Sequence, residues 1–550
     1  MNKNKANKVD LNPVVLKRGM SIGSGNAESD DDFLFKCFVE NAALVEAKDI
    51  NSSGMIIAGR TGAGKTAILR SIAQENDYHI EIDPSLMAMD YVANSDALRF
   101  VYMIGGDLNL LFQTLWKHVL CIEFIRLRYD VKTAQKSKTI FNSLVEKYFT
   151  DERKKRSVEY LRKWEGEFWI TMDVNIKEIT ESVEEQLLAE FGSEISKFKA
   201  GGQYEQRLSN GQKTELVART KKIINSQQLA DLHGVIEMLS EEVGSVTNYY
   251  ILLDKLDENW VDVAVRFRMI RALVETLRSF RKIRSLKVLV ALRTDVLERV
   301  VLETAEVSFQ REKFEDYFIN IFWDKAELMS LVEKRLIELF KRQYTNESIG
   351  FAEVFPETVS QRKTFDWMLE RTLMRPRDII AFVNECINAA NGRSKILVSD
   401  IHKAEVEFAR KRKAAMEQEW LSCFPTLKHL LDFIGRQRKI AFSLKELCDG
   451  GLDDLALSIY SEGKVSFDPL YKSAKNYVDS GENDNGMFAR HLATILYRVG
   501  AVGIKVGVGD RLIYSHIDEP LISPDILENE SKLRIHSMLH AAFRIQDNGK

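Results

Sequence analysis

Three groups of residues in this chain have the types and spacing needed to handle a phosphorylated ligand. The first is Gly59-Arg60-Thr61-Gly62-Ala63-Gly64-Lys65-Thr66, a G-x-x-x-x-G-K-T run. Glycines at these places let the backbone turn tightly, so that successive N–H groups and the positive end of a following helix converge on phosphate oxygens. Gly59, Thr61, Gly62, Ala63, Gly64, Lys65, Thr66 and Ala67 are therefore the expected binding residues for ATP. Lys65 is expected to reach the β- and γ-phosphates, and the Thr66 hydroxyl to complete a Mg²⁺ shell. The second group begins at Asp254. A carboxylate ending an apolar strand is placed to hold Mg²⁺, directly or through water. Lys255 comes next, and the following carboxylates are Asp257 and Glu258, one of which is the candidate base, ionised at neutral pH. The third group is polar and downstream. Arg293, Thr294 and Asp295 end another apolar run, and Arg377 follows Pro376.

The elements that must position these residues are legible from pattern. Met55 to Ala58 reads as a buried strand, and Ala67 to Ala73 has helical spacing, so the glycine run sits between strand and helix. Tyr78 to Asp83 alternates and stops at Pro84, a second strand. Tyr249 to Leu253 and Leu286 to Leu292 are apolar enough to be buried strands. Asp83, Thr294 and Asp295 have helix capping as an equal alternative to a site role. Pro376 marks a helix start, which fixes the geometry around Arg377; a salt bridge from Arg377 to Asp378 is the competing reading.

From about residue 95 to 240 the pattern is almost wholly helical. A parallel sheet returns after a much shorter crossover, so this stretch reads as an inserted helical subdomain. Val174 to Phe198 is an amphipathic helix pattern within it. Leu208-Ser209-Asn210-Gly211-Gln212 resembles the LSGGQ signature of ABC-type ATPases, but Ser209 and Gln212 also make a capping box. A helix bearing Arg266, Arg268, Arg271, Arg278, Arg281 and Arg284 comes after the acidic strand. These arginines are expected in surface ion pairs, with an arginine finger toward a neighbouring subunit as the alternative.

The whole chain has 550 residues and a formal net charge of -3, so no global pull toward nucleic acid or anionic membrane exists. Its five cysteines show no C-x-x-C spacing, which argues against zinc and a disulfide framework and for a cytoplasmic location. No signal peptide is apparent. The most apolar long window, Phe100 to Leu127, carries Asp107, Lys117, His118 and Glu123 and fails as a membrane span.

The order of these motifs, with Trp323-Asp324 and Arg375-Pro376-Arg377-Asp378-Ile379-Ile380 before Asn384 and Asn388, resembles bacterial P-loop ATPases of the FunZ type. These are relatives of AAA+ and STAND ATPases with an ORC-like lid. The resemblance covers roughly residues 20–395. It implies an α/β P-loop (AAA+-like) ATPase core with a large helical insertion, a helical lid and a C-terminal winged-helix-like domain. In that scheme residues 1–20 are a flexible arm, 21–325 the core with the insertion at 95–240, 326–395 the lid and 396–550 the C-terminal domain. Arg293, Thr294 and Asp295 would be the candidates for sensor 1, and Arg377 for sensor 2. Met374 stands where such lids carry glycine, and Lys255 where many carry glutamate, so hydrolysis is expected to be slow or partner-stimulated. The resemblance further implies a homo-oligomer that controls a protein effector, of the kind found in antiviral defence.

A long charged helix, Ser399 to Trp420, reads as a connector to the last stretch, which alternates helices with a hairpin expected around Gly509-Asp510 and so suggests a winged helix. Lys505 and Arg511 would be the wing's cations, and Arg490 and Arg498 lie on the preceding helix. That patch is thin, so docking to protein and binding to DNA stand as equal readings. An ATP-gated DNA-binding loader is the alternative function. Leu533 to Ile545 is expected to be a closing amphipathic helix in which His536 and His540 pack and do not bind metal.

Overall fold

A computed structural model describes residues 14–84, 108–130, 152–165, 167–168, 171, 174, 178, 226–241, 247–258, 260–261, 263–303, 311–343, 349–462, 468–479, 485–507 and 509–545. The chain divides into two compact units: Ala42–Gly59 with Ile68–Asn320, and Met1–Asn41 with Arg60–Ala67 and Ile321–Lys550. Arg60–Ala67 is thus a short internal stretch that belongs to the second unit, between two parts of the first.

The first unit is built on a parallel sheet of five strands: β1 Ile56–Gly59, β2 His79–Ile82, β3 Tyr249–Leu253, β4 Leu286–Arg293 and β5 Phe318–Asn320. Their order across the sheet is β2-β3-β4-β1-β5, with Ile56 opposite both Val290 and Phe318, and Leu253 opposite Val290. Every residue of β3 is buried, as is every residue of β4 up to Leu292. This is why both read as continuous apolar runs and not as alternation: parallel strands covered on two faces have no solvent side. Helices α1 Ala42–Lys48, α2 Lys65–Glu75, α3 Asn109–Tyr129, α4 Glu152–Trp164, α5 Ser226–Ser240, α6 Val263–Phe280 and α7 Thr294–Glu303 complete the described elements of this part of the chain. The described residues of the 95–240 span that lie in regular structure are helical. Of the expected helix over 174–198 only Val174 and Glu178 are described, both helical; the rest of it and the Leu208 to Gln212 signature lie outside the described residues.

Two buried polar groups in this unit show how specific partners replace water. Trp116 on α3 donates its indole N–H to the Met269 carbonyl on α6 at 2.8 Å. Lys287, on β4 and 1% exposed, donates from Nζ to the carbonyls of Asp49 at 2.7 Å and Ser52 at 3.0 Å. A buried ammonium is tolerated only because those carbonyls replace its water.

The second unit holds α8 Lys325–Gln343, α9 Pro376–Ala389, α10 Val398–Glu419, α11 Leu427–Arg436 and α12 Asn485–Val499. It also holds a three-stranded antiparallel sheet of β6 Ala441–Ser443, β7 Val502–Lys505 and β8 Lys532–Ile535 in the order β6-β8-β7. One apolar core runs through all of it, from Leu16 to Ile545. Residues 14–20 do not behave as a free arm: Leu16 is fully buried and donates its N–H to the Arg393 carbonyl at 2.8 Å. The N-terminal helix is short, Asp31–Leu34.

Two elements near the end differ from their sequence patterns. The hairpin around Gly509-Asp510 reduces to one bridge, Ile504 to Ile513, because the full partner of β7 is β8, well downstream. Lys532 to Ile535, expected as the start of a closing helix, is that strand, and the helix is confined to Ser537–His540. In β8 only Leu533 and Ile535 are buried, so Lys532 and Arg534 face outward in a two-residue period that is hard to separate from a helical one over so short a run.

Candidate functional site

β1 delivers the chain to Arg60, and the loop beyond it needs its glycines. Gly62 has φ +78° and Gly64 φ +106°, the left-handed region that L side chains rarely adopt. A Cβ at Gly62 would also stand 2.5 Å from the Cβ of Arg377. The Ala63 N–H closes a turn onto the Arg60 carbonyl at 3.1 Å, and the same carbonyl accepts from Lys65 Nζ at 3.1 Å. Lys65 is the first residue of α2, so the loop ends on a helix N-terminus. Trp323 braces the loop, its indole N–H donating to the Ala63 carbonyl at 2.8 Å.

A cleft opens along this loop. It is lined by Gly62, Gly64, Lys65, Thr66 and Ala67 from the loop, by Pro376, Arg377 and Ile380 from α9, and by Ser24 to Ala27, Asp30, Leu34 and Arg335. The structure thus brings Gly62, Gly64, Lys65, Thr66, Ala67 and Arg377 together at one cavity. Thr61 and Ala63 belong to the loop backbone and do not line the cavity, and Gly59 ends β1 in the other unit.

Arg377 is placed by the start of α9. Pro376 occupies the first helical turn, and the Arg377 N–H reaches the Gly62 carbonyl at 3.3 Å while Nε donates to the Gly25 carbonyl at 3.1 Å. Asp378 does not take Arg377 as its partner. It is fully buried and pairs with Arg375 at 3.0 Å and Arg412 at 3.3 Å. Burial, then the neighbouring Arg375 and Arg412, push the Arg377 guanidinium below its ordinary value despite Glu419 and Asp378. The arginine therefore sits in a region where positive charge is in excess, and an anion beside it would relieve that excess. Met374, in the place of a lid glycine, has φ +51°; the turn before Arg375 takes a glycine-like backbone although the residue has a side chain.

Sequence reasoning missed what holds the loop from behind. Arg375 is 2% exposed; its Nη1 donates to the Thr61 carbonyl at 2.6 Å and to Glu419 at 3.1 Å. Glu419, the last residue of α10, accepts the Thr61 N–H at 3.2 Å. Burial raises the Glu419 carboxyl, but Arg375, Arg60 and Arg412 outweigh it and leave the carboxyl below its usual range. Arg60 reaches in the other direction. Its Nη1 donates to the Val499 carbonyl at 3.0 Å, and Nη2 donates to the Arg498 carbonyl at 2.8 Å and to Ser515 Oγ at 2.9 Å. These carbonyls lie at the C-terminus of α12, where partial negative charge accumulates. The charged pattern of α10 suggests a connector; instead Asp400, Arg412 and Glu419 are buried along it.

The remaining site candidates lie in the sheet-bearing unit. Asp254 comes directly after β3, and its Oδ1 accepts the N–H of Lys255, whose φ is +61°. Asp257 and Glu258 sit in the turn after it, where Arg266 Nη1 donates to both carbonyls, at 3.3 Å and 2.9 Å. Arg293 ends β4 between two carboxylates, 2.8 Å from Asp257 and 2.8 Å from Asp295. Burial lowers the Arg293 guanidinium, but Asp295 and Asp257 more than reverse that and hold it above its ordinary value. As a result Asp257 is engaged with a cation, and Thr294 opens α7.

Among the described residues no group of three or more His, Cys, Asp or Glu stands ready to hold a metal. Thr66, in the second unit, and Asp254, in the first, each carry an oxygen of the hard type that Mg²⁺ prefers. His536 accepts the Met538 N–H at Nδ1 and His540 Nε2 lies 3.0 Å from the Ile535 carbonyl, so both histidines have packing and capping roles.

Comparison with known proteins adds to this geometry. Residues 326–417, from α8 to near the end of α10, match the model of the FunZ-associated C-terminal helical domain. That match takes in Arg335, Arg375, Arg377 and Arg412. The chain is 21% identical over 430 residues to the "Putative transposon gamma-delta 80.3 kDa protein" of Escherichia coli strain K12, covering 75% of this chain and 53% of that protein. It is 27% identical over 116 residues to "Allergen Alt a 2" of Alternaria alternata, covering 21% of this chain and 61% of the relative. The chain thus spans between about half and three fifths of these relatives' lengths. No solved structure matches. No helix among the described residues is long and apolar enough to cross a membrane.

Proposed function

We propose that this chain is a P-loop ATPase of the AAA+/STAND kind, binding Mg²⁺ and ATP at Gly59 to Thr66 and switching conformation with nucleotide state. The observation that carries this reading is the cleft itself: Lys65 and Thr66 face it from the loop, and Arg377 faces it from the start of α9. A triphosphate there meets N–H groups, an ammonium and a guanidinium whose surroundings favour an anion. The loop's grip on Glu419 and on the end of α12 supplies a path from nucleotide to the C-terminal helices, which with β6, β7 and β8 make up the winged-helix-like part of this reading. The roles that the sequence pattern assigns to Asp254, as a Mg²⁺ ligand, and to Glu258 or Asp257, as base, are part of this proposal. In this reading the chain is a homo-oligomer that controls a protein effector in antiphage defence. Mass photometry with and without a non-hydrolysable ATP analogue tests it: nucleotide-dependent assembly that Lys65→Ala abolishes is expected, and assembly indifferent to both overturns it.

A second reading, an ATP-gated DNA loader, draws on the name of the transposon relative and on the basic residues of the C-terminal domain. Those cations are few. Arg511 is already paired with Asp518 at 2.8 Å, so contact with phosphates would lean on Lys505 and Arg490. Duplex binding that needs ATP and is lost in the Lys505→Ala/Arg511→Ala double variant would favour this reading.

A further inference from the structure

We propose that a cavity on the outer face of the β6-β8-β7 sheet is a second ligand site, one that takes a small aromatic anion, a carboxylate or a phosphate ester, and passes its occupancy to the back of the glycine loop. The cavity has a volume of about 510 Å³, within the size of small-molecule sites. Its lining comes from the sheet, from the start of α8 and from the helix Thr364–Leu369, all in the second unit.

Strand register sets Arg534 and Tyr514 side by side. In β8 Arg534 is exposed, on the face opposite buried Leu533 and Ile535, and its partner on β7 is Gly503. A Cβ at Gly503 would stand 2.6 Å from Tyr514 Cε1 and 2.7 Å from Cζ, so the phenol ring fills the place of the missing side chain, next to Arg534 on the same face. Burial raises the Tyr514 phenol, Arg534 works against that rise and Glu370 adds to it. Tyr514, His516 and His536 form a cluster of rings, with centroids 5.4 Å apart for Tyr514 and His536 and 5.1 Å apart for the two histidines.

The accessible polar atoms of these residues are donors. Among the described residues Arg534 has no carboxylate at ion-pair distance, whereas the acids of the lining are taken, Asp366 by Lys325 at 2.5 Å and Glu370 by Arg362. The Tyr514 hydroxyl and His536 Nε2 have no hydrogen-bond partner among the described residues either, and neither atom is sealed from solvent. Because His536 Nδ1 accepts the Met538 N–H at 3.1 Å, its neutral ring carries the proton on Nε2. A guanidinium fork with two donors beside it suits an oxyanion, and the rings, with Leu369, Met374 and Ile517, suit a flat apolar body.

Two residues of the lining adjoin the side chains that hold the glycine loop. Met374 precedes Arg375, whose Nη1 reaches the Thr61 carbonyl at 2.6 Å, and His516 follows Ser515, which accepts from Arg60 at 2.9 Å. Burial, then His536, Arg60 and Arg375, hold the His516 imidazole well below its ordinary value, so both arginines lie within electrostatic reach of the cavity wall. An anion in the cavity therefore changes the surroundings of Arg60 and Arg375, and with them the hold on the loop.

The test is ligand-observed NMR titration of the full chain, without nucleotide, with benzoate and with phenyl phosphate, beside inorganic phosphate and benzyl alcohol. At least one of the two aromatic anions is expected to bind with a dissociation constant of about 1 mM or tighter. Inorganic phosphate and benzyl alcohol, each lacking half of the ligand, are expected to bind about tenfold more weakly, and the tighter of the two aromatic anions identifies the head group. Arg534→Gln is expected to weaken the anion about tenfold, and Lys65→Ala to leave it unchanged. No saturable binding by either anion, benzyl alcohol bound as tightly as benzoate, or equal affinity in Arg534→Gln overturns the assignment. So does binding that Lys65→Ala abolishes, which places the anion at the glycine loop. Should Arg534→Gln fail to fold, Tyr514→Phe removes one hydroxyl only; it is expected to weaken the anion about threefold or more, and unaltered affinity overturns the site. Amide exchange of residues 59–67 is expected to change on saturation with the anion in the wild type and not in Arg534→Gln; exchange indifferent to the anion overturns the link to the loop. With nucleotide absent throughout, these outcomes are independent of whether the loop binds ATP.

Discussion

Arg60, one residue into the phosphate-binding sequence, donates to the carbonyls of Arg498 and Val499. A guanidinium fork across two helix-terminal carbonyls is a contact that lysine cannot reproduce, because an ammonium is a point charge without the planar pair of donors. Nucleotide-driven movement of the loop would be felt at the end of α12 through this one side chain.

Arg60→Ala is therefore expected to uncouple the two. Amide exchange of residues 490–505 should respond to nucleotide in the wild type and not in the variant, while the affinity for ATP changes by less than about threefold. Loss of its three charge-assisted contacts should also lower stability by about 1–3 kcal/mol, with Arg60→Lys recovering only part of it. A variant whose exchange still responds to nucleotide refutes the coupling.

Arg377→Ala is expected to weaken ATP about tenfold, the worth of one charge-assisted contact to phosphate, with little change in thermal stability. The reason is that Arg377 faces the cleft, whereas Arg375 carries the structural ion pairs. Arg375→Ala should do the reverse and destabilise the fold by about 3 kcal/mol or more, since it leaves Asp378 and Glu419 buried beside one fewer cation. Denaturant unfolding of both variants beside ATP titration separates the two roles.

Acid is expected to loosen each unit through a different histidine. Burial, with His540 adding, pushes the His536 imidazole down to about 3; burial, with Arg126 adding, pushes His118 to about 3. A depressed folded value means that the neutral form is the one the fold accepts. Stability is then complete above the unfolded value of about 6.5 and declines as pH falls from there toward 3. At pH 5 each such group withdraws about 2 kcal/mol. The Glu419 carboxyl, held low, is unaffected until pH falls below the ordinary carboxylate range. Unfolding temperature should thus be flat above pH 7 and drop between pH 6.5 and 5, and His536→Gln should shallow that drop; an unchanged slope in the variant contradicts the assignment.

Four of the five sheet strands and the loop are legible in the sequence because their signals are local; β5, three residues long, carries no such run. A continuous apolar run between polar ends marks a doubly covered parallel strand, and a glycine-rich turn into a helix is a contiguous pattern. Pro376 likewise announces the start of α9 and so the direction of Arg377. Everything that depends on distant pairing is hidden. Glu419 meets the Thr61 N–H across 358 positions, and no spacing rule points from one to the other. Arg60 occupies a variable position of the motif, so its reach to α12 leaves no trace in sequence. The partner of β7 is concealed for a similar reason: Gly509-Asp510 is a sound turn signal, yet the strand that β7 pairs with comes after it and after a further irregular stretch. The ion pairs of Arg293 with Asp257 and Asp295 are equally invisible, although the residue types of all three suggest chemistry.

Isothermal titration of the full chain with Mg²⁺ and ATP, wild type against Lys65→Ala, tests the central claim most directly. Saturable binding by the wild type that falls at least about a hundredfold in Lys65→Ala is the predicted result, since in the proposed reading the ammonium is the charge that meets the β- and γ-phosphates. Equal affinities in the two proteins, or no heat of binding in either, would contradict it.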